Sequence, residues 1–226
     1  MLEKLPCAAS LGLPLIGSIA GHSIGDFVEV AEAFADAPNM PLVEINVSCP
    51  NTADGLQFGE TAESLERLLR EVRPALKSKG MIVKLPPSTS GIVGLARIAI
   101  ECGADALTIS NTVPAMAIDV RTRQPRLSRG MGGLSGPAIH HIVVRLIHLV
   151  HEGVAADRGI PIIGLGGVMN WRDAAEFILA GSSAVGIGTG LFVDPGIPRK
   201  VARGLESWVR SQEESSLAAL VGKAEA

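Results

Sequence analysis

"PLVEINVSCPN", residues 41–51, decides how this chain is read. Val43, Ile45 and Val47 alternate with Glu44, Asn46 and Ser48, which is the period of a β-strand. The run then breaks into cysteine, proline and asparagine. A structural cysteine normally sits among aliphatic neighbours. Cys49 instead has Asn46 and Asn51 on either side, among amides and hydroxyls. A thiol placed so at the end of a strand points to chemistry.

Five more short apolar runs are present: "LPLIGSIAG" (13–21), "MIVKLP" (81–86), "ALTISNT" (106–112), "PIIGLGGV" (161–168) and "AVGIGTGLF" (184–192). Between the runs the period changes to that of a helix. Leu65, Leu68, Leu69 and Val72 make one stripe, and Phe27, Val30, Ala31 and Phe34 another. Ser135-Gly136-Pro137, Asn170 and Asp194-Pro195 are read as further helix starts. Strand and helix in alternation predict a parallel sheet with helices outside it. The runs are apolar almost throughout, so strands buried on both faces are expected. "AMAIDVRTRQPRLSRG" (115–130) reads as a hairpin or loop excursion, and "SSLAALVGKA" (215–224) as a short extra helix.

The count is six βα units, where a closed (β/α)8 barrel needs eight. Only 12 residues precede the first run, too few for two more units. The expectation is an α/β fold: a (β/α)8 TIM barrel with six of its eight units, the first two strands missing, and residues 1–226 forming one domain. An open sheet is the alternative.

With 226 residues, 47% hydrophobic and 19% charged, the chain is long and apolar enough for a globular core. Twenty Lys and Arg against 23 Asp and Glu leave a net charge of −3, which gives no footprint for nucleic acid. Cys7, Cys49 and Cys102 do not form an even disulfide set, and no zinc spacing is present. No apolar run is long enough for a membrane span, and no secretory signal stands out. A cytoplasmic location is expected.

The runs finish in polar or glycine-rich signatures, where α/β folds bind ligands. Gly166-Gly167 and Gly188-Thr189 follow the last two runs. They suit a phosphate, whose oxygens need close backbone N–H groups, or simply tight strand-to-helix packing. Lys84 closes an apolar strand; it either snorkels or meets an anion or an electron-rich ring. Asn111-Thr112 suits a planar polar substrate, or a turn that caps itself. Cys7 and Cys102 read as structural. His22, His140, His141, His148 and His151 lie in or beside helices and none ends a strand, so no metal or catalytic histidine is expected. That leaves Cys49 as the natural acid/base or nucleophile.

"NVSCPN", "KLPP", "SNT", "GGLSGPAI", "PIIGLGGV" and "VGIGTGLFVDP" together resemble the FMN-dependent dihydroorotate dehydrogenases of class 1. "NTVPAMAIDVRTRQPRL" is most similar to the class 1B catalytic subunit. The resemblance runs from about residue 2 to residue 222. It implies a barrel with FMN at its carboxyl face and oxidation of (S)-dihydroorotate to orotate in pyrimidine biosynthesis. By resemblance Cys49 is the catalytic base. Asn46 contacts flavin and substrate, while Asn51, Asn111 and Thr112 contact substrate. Lys84, Ser110, Gly136, Gly166, Gly167, Gly188 and Thr189 are cofactor-binding positions. An iron–sulfur flavoprotein electron-transfer subunit and a homo-oligomer are the implied partners. The family has two further strands before this point, carrying a Lys-Thr pair and a substrate loop that this sequence lacks. It also usually has asparagine at the position of Ser18, and often an aliphatic residue at that of Ser110. A dihydropyrimidine dehydrogenase-like FMN oxidoreductase and a catalytically inactive remnant are the competing readings; "CPNT" and "AIDVRTR" favour dihydroorotate dehydrogenase over the former.

Overall fold

Each of the six apolar runs carries a strand, and the residues between them explain why. The computed structural model of the protein describes residues 12–48 and 58–225. Two compact units are present: residues up to Thr108 with Arg158–Pro161, and Ile109–Asp157 with Ile162 onward.

The first unit repeats strand and helix: β1 (Ile16–Ile19), α1 (Ile24–Ala35), β2 (Leu42–Asn46), α2 (Ala62–Ala75), β3 (Gly80–Leu85), α3 (Ile92–Glu101) and β4 (Ala106–Ile109). β1 and β2 run parallel with Ser18 opposite Glu44, and β2 and β3 run parallel with Asn46 opposite Lys84. α1 opens on a capping box: Ser23 Oγ accepts the Asp26 N–H at 3.2 Å, and Asp26 Oδ2 accepts the Ser23 N–H at 3.1 Å. The His22 backbone N–H, followed by the Ser23 hydroxyl and backbone N–H, holds the Asp26 carboxyl below its ordinary pKa. Leu65, Leu68, Leu69 and Val72 of α2 are all fully buried, as their spacing predicts. Each such side chain contributes about 1.5–3 kcal/mol relative to exposure. In α1, Phe27 and Ala31 are buried, while Val30 and Phe34 lie at the edge of the packed face.

The second unit opens with small antiparallel pairs, β5 (Val113–Ala115) with β8 (Gly132–Leu134), and β6 (Ile118–Asp119) with β7 (Gln124–Pro125). This is the hairpin excursion expected over 115–130. A single 3₁₀ turn, Pro137–Ile139, then leads into α4 (His140–Val150), so the helix start at Gly136-Pro137 is found. There follow β9 (Ile162–Leu165), α5 (Trp171–Ala180), β10 (Ala184–Gly186), α6 (Gly190–Val193) and α7 (Ile197–Ser211). β9 and β10 are parallel. A 3₁₀ turn at Leu217–Leu220 is the short extra helix of the tail. Val143, Leu146, Ile147, Phe177 and Ile178 form this unit's buried core.

Three expectations are corrected. Burial on both faces holds for β4 and for Met81–Val83 of β3; β1, β2 and β9 alternate, with every second residue buried. In β1 to β3 the less buried positions include Ser18, Glu44, Asn46 and Lys84. The run 184–192 is not one strand. It ends at Gly186, and Gly190–Val193 turns into α6. Asp194-Pro195 does not itself start α7, because Gly196 is the N-cap. Asp194 stands two residues earlier, where its carboxylate accepts the Gly196 N–H at 2.9 Å and pairs with Lys200 at 2.6 Å.

Asn170 does begin α5. Its Oδ1 accepts the N–H groups of Arg172 and Asp173, at 2.8 and 3.4 Å, and Asp173 Oδ2 accepts the Asn170 N–H in return. Asn170→Ala is expected to cost about 1 kcal/mol, a fall of about 2–4 °C in Tm, with Asn170→Ser, a neutral cap beside the Asp173 carboxylate, recovering most of it. Thermal unfolding of the three forms checks this; equal midpoints would remove the cap from the account.

Candidate active site

The polar residues of the first unit share one face. Residues two apart on a strand point the same way, so Glu44 and Asn46 of β2 lie side by side, with Lys84 opposite Asn46. Lys84 Nζ lies 3.5 Å from Glu44 Oε1, and the two side chains are only 16% and 15% exposed. Ser18 Oγ donates to the same Oε1 at 3.1 Å, and Thr108 Oγ1 donates to Oε2 at 2.9 Å. Four strands therefore meet at one carboxylate. The lysine does not snorkel to solvent. It is a fixed, half-desolvated cation whose charge a carboxylate balances, with Asn46 at the strand end beside it. Ser48 Oγ donates to Asn46 Oδ1 at 3.3 Å.

Glu44 is the residue that sequence reading passed over. It appeared only as one polar member of an alternation. The available signal was a second charge on the same apolar-strand face as a lysine one strand away.

In the second unit, Ser110 follows β4 and is buried; its N–H reaches Leu165 O at 3.1 Å, and its Oγ donates to Asn111 O at 3.0 Å. Asn111 Oδ1 accepts the Thr112 N–H at 2.8 Å, the self-capping turn that was one of the two readings of this pair. The glycine turns divide by function. A Cβ on Gly166 would meet Val143 at 2.7 Å, which is the packing reading. Gly167 has φ +74, and a Cβ there would lie 2.7 Å from Gly136 O, so the turns at 136 and 167 pass backbone to backbone. Gly136 itself has φ +82. Gly188 has nothing within 4 Å of where its Cβ would be, and Thr189 follows as the cap of α6. An exposed backbone edge at Gly188 leaves room for a ligand oxygen.

Gly167→Ala is expected to cost about 1–3 kcal/mol, because it forces a side chain into a left-handed conformation against a carbonyl. A denaturant unfolding curve measures it, and an unshifted midpoint would contradict the close approach.

Cys7, Cys49 and Asn51 lie outside the described residues. Cys102 caps the end of α3, half-buried, and burial pushes its thiol pKa up, as suits a packing residue. The His151 ring packs where a Cβ on Gly181 or Gly222 would be, a structural role. Among the described residues, no helix is long and apolar enough to cross a membrane.

Parallel βα units, with amides, a lysine and glycine turns after the strands' carboxyl ends, define an α/β enzyme of the ligand-binding kind. The family profile described as dihydroorotate dehydrogenase matches residues 3–209. The chain is 39% identical over 212 residues to the dihydroorotate dehydrogenase B (NAD(+)) catalytic subunit of Brachyspira hyodysenteriae, covering 93% of this chain and 69% of that protein. It is 40% identical to the same-named subunit of Bacteroides thetaiotaomicron, over 93% of this chain and 68% of that one. A Geobacter relative of the same name is 38% identical over 99% of this chain and 72% of its own length. The chain belongs to the dihydroorotate dehydrogenase family, whose members are oxidoreductases.

Proposed function

We propose that this protein oxidises (S)-dihydroorotate to orotate in pyrimidine biosynthesis, as a class 1B catalytic subunit with FMN as its cofactor. The observation that carries the reading is the Asn46–Lys84 strand-end pair with its Glu44 counter-charge, in a chain of this family. When bound, FMN would accept the hydride from substrate C6. The residues on hand fit such a group. Lys84 offers a half-desolvated cation for an electron-rich ring, and the Gly167 turn and the open flank of Gly188 offer backbone to its phosphate. Ser110 and Gly136 would border the ring, and Thr189 the phosphate.

Cys49 then takes the C5 proton, which a thiolate can do when it is exposed and its charge is favoured. Asn46, Asn51, Asn111 and Thr112 hold a planar, amide-bearing anion by paired donors and acceptors. The six parallel strands are read as part of an eight-unit barrel in one domain, with the further units in the share of the relatives' length that this chain does not span. The relatives' name, a catalytic subunit of an NAD(+)-linked enzyme, supports a separate iron–sulfur flavoprotein partner that carries the electrons onward. A homo-oligomer in the cytoplasm completes the proposal.

The test is the protein expressed from its native gene, purified, and scanned for a flavin spectrum. Addition of dihydroorotate without oxygen should bleach that spectrum and yield orotate. A colourless protein that neither binds added FMN nor forms orotate would overturn the assignment.

A further inference from the structure

The second unit holds a group of side chains that this function does not use. His140 and His141 begin α4, and Glu176 projects from α5, packed beside it. Their ligand atoms all lie within 4.8 Å of one another. His140 Nε2 is 3.3 Å from Glu176 Oε2, and His141 Nδ1 is 3.8 Å from that same oxygen.

The hydrogen-bond chemistry says what could sit between them. His140 Nδ1 lies 3.2 Å from Gly166 O. A carbonyl can only accept, so Nδ1 carries a hydrogen there, and Nε2 is the ring nitrogen that faces Glu176 and is placed to act as a ligand. Nε2 and a carboxylate oxygen face each other there at 3.3 Å, a spacing that a cation can bridge. A proton would satisfy one nitrogen and one oxygen. A third ligand atom, His141 Nδ1, stands 3.8 Å from the same Oε2, so a centre with several ligands suits the group.

We propose that His140, His141 and Glu176 bind a divalent zinc-class metal ion. Zinc takes imidazole nitrogen and carboxylate oxygen at about 2.0–2.2 Å, which sets neighbouring ligand atoms of a tetrahedron roughly 3.4 Å apart. The two separations from Glu176 Oε2, 3.3 and 3.8 Å, come close to that, and the two histidine nitrogens lie within 4.8 Å of each other. The buried histidine already has the outer-shell partner that metal-binding histidines typically show, an Nδ1–H given to a backbone carbonyl. Its ring is also stacked on Phe177 at 4.7 Å, which fixes its plane. His141 and Glu176 are 87% and 47% exposed, so an ion can enter from solvent and keep a water as fourth ligand. The ion would tie the start of α4 to α5 and, through His140, hold the Gly166 carbonyl.

Titration calorimetry of the whole protein with zinc sulfate tests this, beside His141→Ala and Glu176→Gln. Both changes are at exposed positions, and circular dichroism checks that the variants are folded. One saturable ion per chain is expected, weakened at least about tenfold in each variant. Zinc should raise the Tm of the parent protein and not that of Glu176→Gln. Cobalt(II) should give visible bands of tetrahedral nitrogen and oxygen ligation. Absence of saturable binding, equal affinity in parent and variants, or a sulfur-to-cobalt band showing that cysteines hold the ion would each overturn the site.

Discussion

Replacing Cys49 by alanine is expected to lower dihydroorotate oxidation by about 10²–10⁴-fold while FMN stays bound. A positioned general base contributes on that scale. No histidine ends a strand in this sequence, so no second base stands ready to take over. Flavin should remain, because Lys84 and the glycine turns after β9 and β10 are untouched. Cys49→Ser should keep a small activity that rises with pH, since a hydroxyl ionises far less readily than a thiol and is the weaker base. The measurements are steady-state rates against pH and the flavin-to-protein absorbance ratio for the three forms. Turnover near the parent's at neutral pH in Cys49→Ala would sink the assignment of the base.

The second large effect is expected at Lys84. Near a protein surface, two unit charges a few ångströms apart interact by about 4 kcal/mol, and desolvation raises the figure. Lys84→Ala removes the cation and leaves Glu44 as an unbalanced carboxylate held by Ser18 and Thr108. The local charge therefore moves from balanced to negative, which disfavours an anionic reduced ring. Flavin affinity should fall about tenfold or more, and the potential should drop by tens of millivolts; for a two-electron couple, about 1.4 kcal/mol is about 30 mV. Glu44→Gln in the same chain should recover part of the lost potential by removing the stranded charge. That recovery separates electrostatics from damage to the fold, because loss of both partners of a buried pair is tolerated better than loss of one. Redox titration of parent, single and double variants reads it directly. An unchanged potential and affinity in Lys84→Ala would place the lysine outside the site.

Local physics made much of this protein legible in its sequence. The six strands were readable because short apolar runs separated by helical stripes leave few alternatives. The α2 stripe of Leu65, Leu68, Leu69 and Val72 and the caps at Asn170 and Gly136-Pro137 were readable because they depend on residues within a turn of each other. So were the strand-end residues, since chain order alone puts Asn46, Lys84 and Asn111-Thr112 after apolar runs. Tertiary structure decided the rest. Whether a lysine snorkels or pairs depends on a residue 40 positions away, and only strand register brings Glu44 to Lys84. Which face of β2 is open depends on its neighbours, so an apolar run looked doubly buried when alternate residues were not. His140 and Glu176 lie on different helices, and their approach follows from helix packing, which no spacing along the chain encodes.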